Sequence, residues 1–194
     1  MKIEVPLSDA AWEALHATYD QTTYQAVLDQ VRYDDVILDL GAGDLRLARQ
    51  MAQIARKVYA VEINAEVLDR AYLSPDPLPA NLTPIHADAR SWDFPAGITT
   101  GVLLMRHCTW FRLYAVKLQL AGAARLITNA RWRMAVETVD LQQVERKSFA
   151  DVGMGWYACL CGGTGFKEGP VEHWNLEMDS VTNEASSCPQ CIRV

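Results

Sequence analysis

Apolar residues recur at three- and four-residue intervals over residues 9–31. Trp12, Leu15, Tyr19, Ala26, Val27 and Val31 share one helical face. Ser8 or Asp9 can cap the start of such a helix, and Thr22-Thr23 can divide it into two. At Asp34-Asp35 the period changes. Val36-Ile37-Leu38 is a short apolar run leading into Asp39-Leu40-Gly41-Ala42-Gly43-Asp44, the pattern of a buried strand followed by a glycine turn. A helix over 45–54 follows, then a strand over 57–62 and a helix over 66–72, which the prolines of 74–79 cannot continue. Strands over 82–86, 100–105 and 124–128, with a helix over 114–120, complete the alternation.

Strands and helices alternating at this spacing predict parallel pairing through right-handed crossovers. The predicted fold is α/β, a Rossmann-like, doubly wound and mainly parallel sheet with helices on both faces. Ligands of such sheets bind beyond the carboxyl ends of the strands, near the switch point. Residues 39–44, 62–64, 88–89 and 106–109 fall there. Past about residue 133 the alternation fades. Residues 134–141 alternate as an outer strand and 171–178 as another, around a glycine-rich 151–169. The expected division is a helical segment over 1–33, an α/β domain over 34–150 and a small metal-binding β element over 151–194.

Composition narrows the function classes. Half of the 194 residues are hydrophobic, enough for a continuous core. The net charge of −6, from 24 acidic and 18 basic side chains, disfavours nucleic acid as a partner. A local patch from Arg125, Arg131 and Arg133 keeps it in play. No run approaches the roughly 18 apolar residues of a membrane span, and the first six residues lack the apolar core of a signal peptide. The expected location is the cytoplasm, with no membrane partner; oligomeric state is not legible.

In the glycine turn, Gly41 and Gly43 let the backbone approach a ligand closely. Glu62, at the end of the next strand, suits two hydrogen bonds to the hydroxyls of a ribose. Any adenosine-containing cofactor fits those features. A dinucleotide site wants a third glycine where Arg46 stands. Asp39 places a carboxylate where a diphosphate is repelled and a sulfonium or ammonium attracted. The reading leans to a cationic adenosine ligand.

Over roughly residues 34–130 the chain resembles the class I S-adenosylmethionine-dependent methyltransferases. The likeness rests on Val36-Ile-Leu-Asp39-Leu-Gly41-Ala-Gly43, on Tyr59-Ala-Val-Glu62-Ile63-Asn64 and on His86-Ala-Asp88-Ala89. It implies that Asp39, Gly41, Ala42 and Gly43 line the methionine and ribose end of S-adenosylmethionine. Glu62 would then hold the ribose hydroxyls, Ile63 would pack on the adenine, Asp88 would accept from its amino group, and the Ala89 backbone would meet a ring nitrogen. Arg106, after the fourth strand, joins this set.

The methyl acceptor is expected beside Arg106-His107-Cys108-Thr109-Trp110. Methyltransferases of base amino groups resemble one another in an N/D-P-P-Y/F or N-I/L-P-Y/F motif here, and this chain has neither the proline nor the amide. His107 reads equally as a general base and as a histidine bonded at a strand end. Cys108 reads better as a small buried residue than as a nucleophile, since the Pro-Cys of carbon methyltransferases is absent. Trp110 and Phe111 read equally as an aromatic wall and as core. Residues 129–132 can also border the pocket.

Four of the five cysteines form two close pairs, Cys159-Leu-Cys161 and Cys188-Pro-Gln-Cys191. Four thiolates on two tight turns suit a closed, structural zinc site, and tetrathiolate sites accept iron as well. The segment resembles a zinc-ribbon or rubredoxin-like knuckle pair, with CxC in place of one CxxC. Reduced free cysteines or disulfides are the plain alternative, and His173 can stand in for a ligand.

The leading expectation is therefore a methyltransferase acting on a small molecule, protein or RNA. The alternative is a non-catalytic module that binds the cofactor or docks a partner through the ribbon. A nicotinamide-dependent oxidoreductase is third, weakened by Arg46.

Overall fold

The unbroken apolar runs become strands buried from both sides. A computed structural model describes residues 19–73, 76–106, 108–131, 135–143 and 146–191. Its elements are, in order, α1 (Gln21–Leu28), β1 (Val36–Leu40), α2 (Arg46–Met51), β2 (Lys57–Glu62), α3 (Ala65–Tyr72), β3 (Leu82–His86), β4 (Thr100–Leu103), α4 (Phe111–Leu120), β5 (Arg125–Thr128), β6 (Glu137–Asp140), β7 (Gly155–Cys159), β8 (Thr164–Lys167) and β9 (Thr182–Ala185).

The large sheet has the order β3-β2-β1-β4-β5-β6. Its first five strands run parallel and β6 is antiparallel at the edge. The order reverses between β1 and β4, which is the switch point. Alternation along β1 sends Ile37 into one core with Tyr24, Ala48 and Met51, and Leu38 and Leu40 into another with Phe111 and Leu118. Both faces are thus covered, as a doubly wound fold requires. Gly101 lets α4 press on β4: a Cβ there would lie 2.4 Å from Leu118. Pro84, which cannot donate to a ladder, sits on the edge strand β3. The smaller sheet, β8-β7-β9, encloses Val152, Tyr157, Cys159, Ala185 and Cys188.

Three expectations are corrected. Residues 171–178 do not form a strand. They make two 3₁₀ turns, Val171–His173 and Leu176–Asp179. Pro170 opens the first, the Asn175 side chain caps the second, and residues 168–177 are all exposed, so no sheet face buries their alternation. Thr22-Thr23 do not divide a helix: among the described residues α1 starts at Gln21 and runs through both. Asp20 caps α1, its carboxylate accepting the Thr23 N–H at 2.8 Å. Trp12, Leu15 and the caps Ser8 and Asp9 lie outside the described residues. Nor do Arg125 and Arg131 contribute to a basic patch: Arg125 pairs with Asp35 at 2.6 Å, and Arg131 has a fully buried side chain bonded to Glu137 and Glu184. Arg133 lies outside the described residues.

A candidate cofactor cleft and a four-cysteine cluster

The three acidic positions follow three neighbouring strands. Asp39 is the penultimate residue of β1, Glu62 the last of β2, and Asp88 lies two residues past β3. They therefore line one stretch of the sheet's carboxyl edge, beside the switch point.

Between β1 and α2 the chain bends through Gly41 (φ 74°), Gly43 (φ 57°) and Leu45 (φ 66°). Gly41 and Ala42 donate their N–H groups to the Val61 carbonyl at 2.8 and 3.0 Å, which pins the bend to β2. A Cβ on Gly43 would meet nothing within 4 Å, so the space above it is open. On Gly41 it would collide with the Met105 side chain at 2.2 Å. Leu45 is fully buried, and that burial offsets the cost of its left-handed backbone. Arg46, the departure from the dinucleotide pattern, is tied to Asp44 by its side chain.

Glu62 accepts from the Gly43 N–H through Oε2 and from the Asn64 N–H through Oε1, both at 2.9 Å. Each oxygen keeps a second lone pair for an incoming donor. Asp39 is the opposite case. It is 3% exposed, and its Oδ2 has no hydrogen-bond partner. Burial first, and the charge of Glu62 second, push its carboxyl up to about 7. Asp88 is held by Arg90, whose backbone N–H and Nε donate to Oδ1 at 2.9 Å and whose Nη2 donates to Oδ2 at 2.6 Å. Those hydrogen bonds take its carboxyl down to about 2. Lys117 donates to the carbonyls of Ala89, Arg90 and Trp92 and so fixes this turn. Ile63 stands 56% exposed beside Glu62, an apolar surface without cover.

A family model for the methyltransferase domain matches residues 37–146, more than half of the chain and the stretch that builds this cleft. The chain belongs to the methyltransferase-domain family. The methyl donor of that family is S-adenosylmethionine. Solved structures to which the chain is similar include a precorrin-8w decarboxylase from Methanobacterium thermoautotrophicum, at 20% identity over 57% of this chain and 63% of that one, with a TM-score of 0.49. Another is an S-adenosylmethionine-dependent methyltransferase from Mesorhizobium loti, at 20% identity over 62% and 52%, with a TM-score of 0.45. A third is a phosphoethanolamine N-methyltransferase from Haemonchus contortus, solved with phosphoethanolamine and S-adenosylhomocysteine, at 14% identity over 56% and 25%, with a TM-score of 0.47. The chain spans less than two thirds of each of these proteins. No curated protein matches it.

In the loop past β4, the Met105 side chain lies against Gly41. Tyr19 straps this loop: its hydroxyl donates to the Leu104 carbonyl at 3.0 Å and accepts from the Arg106 N–H at 3.4 Å. The Arg106 guanidinium lies 4.8 Å from the Tyr19 ring centre. Periodicity placed Tyr19 on a helix face and missed this role, because its partners lie 85 and 87 residues away. Cys108 is half-buried, and burial pushes its thiol up, which suits a packed residue and not a nucleophile. Phe111 is wholly buried core, whereas Trp110 is 49% exposed with the Arg90 guanidinium 5.7 Å from its ring centre. His107 lies outside the described residues. The carboxamide of Asn129, just past β5, is buried without a partner.

The four cysteines of the two pairs converge. Their sulfurs lie within 4.8 Å of one another, with Cys159–Cys191 at 3.6 Å, Cys161–Cys188 at 3.5 Å and Cys188–Cys191 at 3.8 Å. Thiolates at about 2.3 Å from a tetrahedral metal stand about 3.8 Å apart. A disulfide requires about 2.05 Å. The cluster therefore has the dimensions to hold a metal ion. The Gly163 N–H points at the Cys161 sulfur at 3.3 Å. His173, exposed in its 3₁₀ turn, is outside the cluster.

Proposed function

We propose that this chain is an active S-adenosylmethionine-dependent methyltransferase. Asp39, Gly41, Ala42, Gly43, Glu62, Ile63, Asp88, Ala89 and Arg106 would border the donor. The observation that carries the reading is the buried carboxylate of Asp39, whose Oδ2 has no hydrogen-bond partner, beside Glu62. An acid so placed is costly in the free protein, and a cationic ligand relieves that cost. The donor supplies an already activated methyl group. The chain's own part is then mainly positioning, with a base needed only if the acceptor must lose a proton. Glu62 is oriented for two hydroxyls by the N–H groups of Gly43 and Asn64. Asp88 serves the adenine amino group through lone pairs that Arg90 leaves free. His107 remains the candidate base.

The α/β domain would span 34–150 behind a helical segment over 1–33, with 151–194 as a C-terminal extension closed by structural zinc on Cys159, Cys161, Cys188 and Cys191. Sulfur separations near the tetrahedral value support this reading. Among the described residues no helix is long and apolar enough to cross a membrane. Thiols kept reduced for metal fit a cytoplasmic protein.

Calorimetry with S-adenosylmethionine, S-adenosylhomocysteine and NAD tests the cofactor assignment. The two sulfur nucleosides bind and NAD does not; the reverse order would return the chain to the oxidoreductases. Incubation with radiolabelled donor and fractionated small molecules, protein or RNA then reads turnover. Tight binding without transfer to any class would leave a binding module. For the metal, elemental analysis of protein purified without added zinc should give close to one ion per chain.

A further inference from the structure

We propose that the four-cysteine centre positions the acceptor side of the cleft through Phe111, so that metal binding and donor binding are coupled. This rests on the donor and metal readings above and adds a physical link between them.

Gly162, next to Cys161, is in the left-handed region at φ 95°. A Cβ there would lie 3.0 Å from the Cβ of Phe111. Its neighbour Leu160 packs into the same core as Phe111. The knuckle thus sits directly on the first residue of α4. Phe111 in turn closes the acceptor loop: its N–H donates to the Cys108 carbonyl, and the Cys108 N–H donates to the Met105 carbonyl at 3.1 Å. Met105 lies on Gly41, the glycine of the proposed donor site. An uninterrupted path of packed groups therefore runs from the thiolates to the glycine bend.

A second tie reaches the Phe111 ring. Arg131, with its side chain fully buried, donates to Glu137 of β6 and to Glu184 of β9. Its guanidinium stands 5.8 Å from the Phe111 ring centre. Glu184 is four residues before Cys188, on the strand that carries the second knuckle. Releasing the metal frees that strand and that knuckle together, and Phe111 loses both supports. Gly162, Arg131 and Phe111 are positioning residues in this scheme; none of them touches the donor.

The test uses the full chain, with metal content, S-adenosylhomocysteine affinity and hydrogen exchange measured before and after removal of zinc by a chelator. Exchange over residues 104–112 should accelerate about tenfold or more, while 57–62, in the heart of the large sheet, stay protected. Affinity should fall about fivefold or more. Faster exchange confined to 155–167 and 182–191, with affinity unchanged, would overturn the coupling alone. Less than about half an ion per chain in the untreated protein would overturn the metal reading and the coupling with it. The variant G162A keeps every thiolate. It should retain its metal and still show faster exchange over 104–112 with weakened affinity; full metal content with wild-type behaviour would sink the proposal. E184Q, which weakens the second tie, should give the same signature to a smaller degree.

Discussion

Two buried aspartates stand at opposite ends of one strand. Asp35 precedes β1 and is 4% exposed; Asp39, within it, is 3% exposed. Burial penalises both charges. At the amino end the penalty is more than met: the Arg32 N–H, the Thr100 and Thr99 hydroxyls and the Arg125 guanidinium all bond to Asp35, and its carboxyl ends below the usual range. At the carboxyl end Asp39 has Glu62 for a neighbour and its carboxyl is pushed up to about 7. The contrast separates an acid satisfied by the fold from one left for a ligand. Burial alone marks neither, and the partner inventory marks both.

Removing the satisfied acid should have the largest effect on stability. D35A leaves the part-buried Arg125 without its counter-ion and the buried Thr100 hydroxyl without its acceptor. A loss of about 3–5 kcal/mol is expected, which in a chain of this size lowers the thermal midpoint by roughly 10 °C. Calorimetric affinity for S-adenosylhomocysteine, measured where the variant is folded, should stay within about twofold. A selective loss of affinity would erase the distinction between the two ends.

D39N should do the reverse. The raised carboxyl of Asp39 is protonated in the folded chain at pH values where it is ionised in the unfolded one. Its cost therefore grows as pH rises from near 4 to near 7 and is constant above, reaching about 4 kcal/mol if the full shift is expressed. The amide carries no such cost. D39N should stabilise the ligand-free protein at pH 8, with the gain shrinking toward zero near pH 4, and should weaken donor binding at least about tenfold. Thermal melts across that range, with calorimetry at pH 8, check both signs. A variant that is destabilised at pH 8, or that binds as before, would remove Asp39 from the proposed site.

This contrast also marks what the sequence made legible. The order of strands and helices, the glycine bend and the acids after β1, β2 and β3 are local patterns of period and turn chemistry, so the chain order alone exposes them. Cys159, Cys161, Cys188 and Cys191 could be grouped because each pair is local and four thiols suit one metal. What could not be read are contacts between distant segments: the Tyr19 strap and the Arg131 tie to Glu184. An arginine looks the same in sequence whether it faces solvent or is buried against two glutamates. Residues 171–178 misled for a related reason, since alternation predicts a strand only where a sheet supplies a face to bury it.

The smallest expected effect tests whether Asp35 is held by many bonds or by one. Thr100 is wholly buried, and its hydroxyl donates to Asp35 Oδ1 at 2.8 Å, an oxygen that Thr99 also serves at 3.1 Å. T100V keeps the shape and removes one donor of several, so about 1 kcal/mol should be lost. A carboxyl held below its unfolded value stabilises the fold above that value and loses the contribution as pH falls through the folded one. With one donor gone that window narrows, and acid unfolding of T100V should begin at higher pH than in the wild type. Combined with D39N, the two changes should add to within about 0.5 kcal/mol, because they act on acids that share no partner. A larger coupling would mean that the ends of β1 are one electrostatic unit, and that relieving Asp39 by a ligand is felt at Asp35 as well.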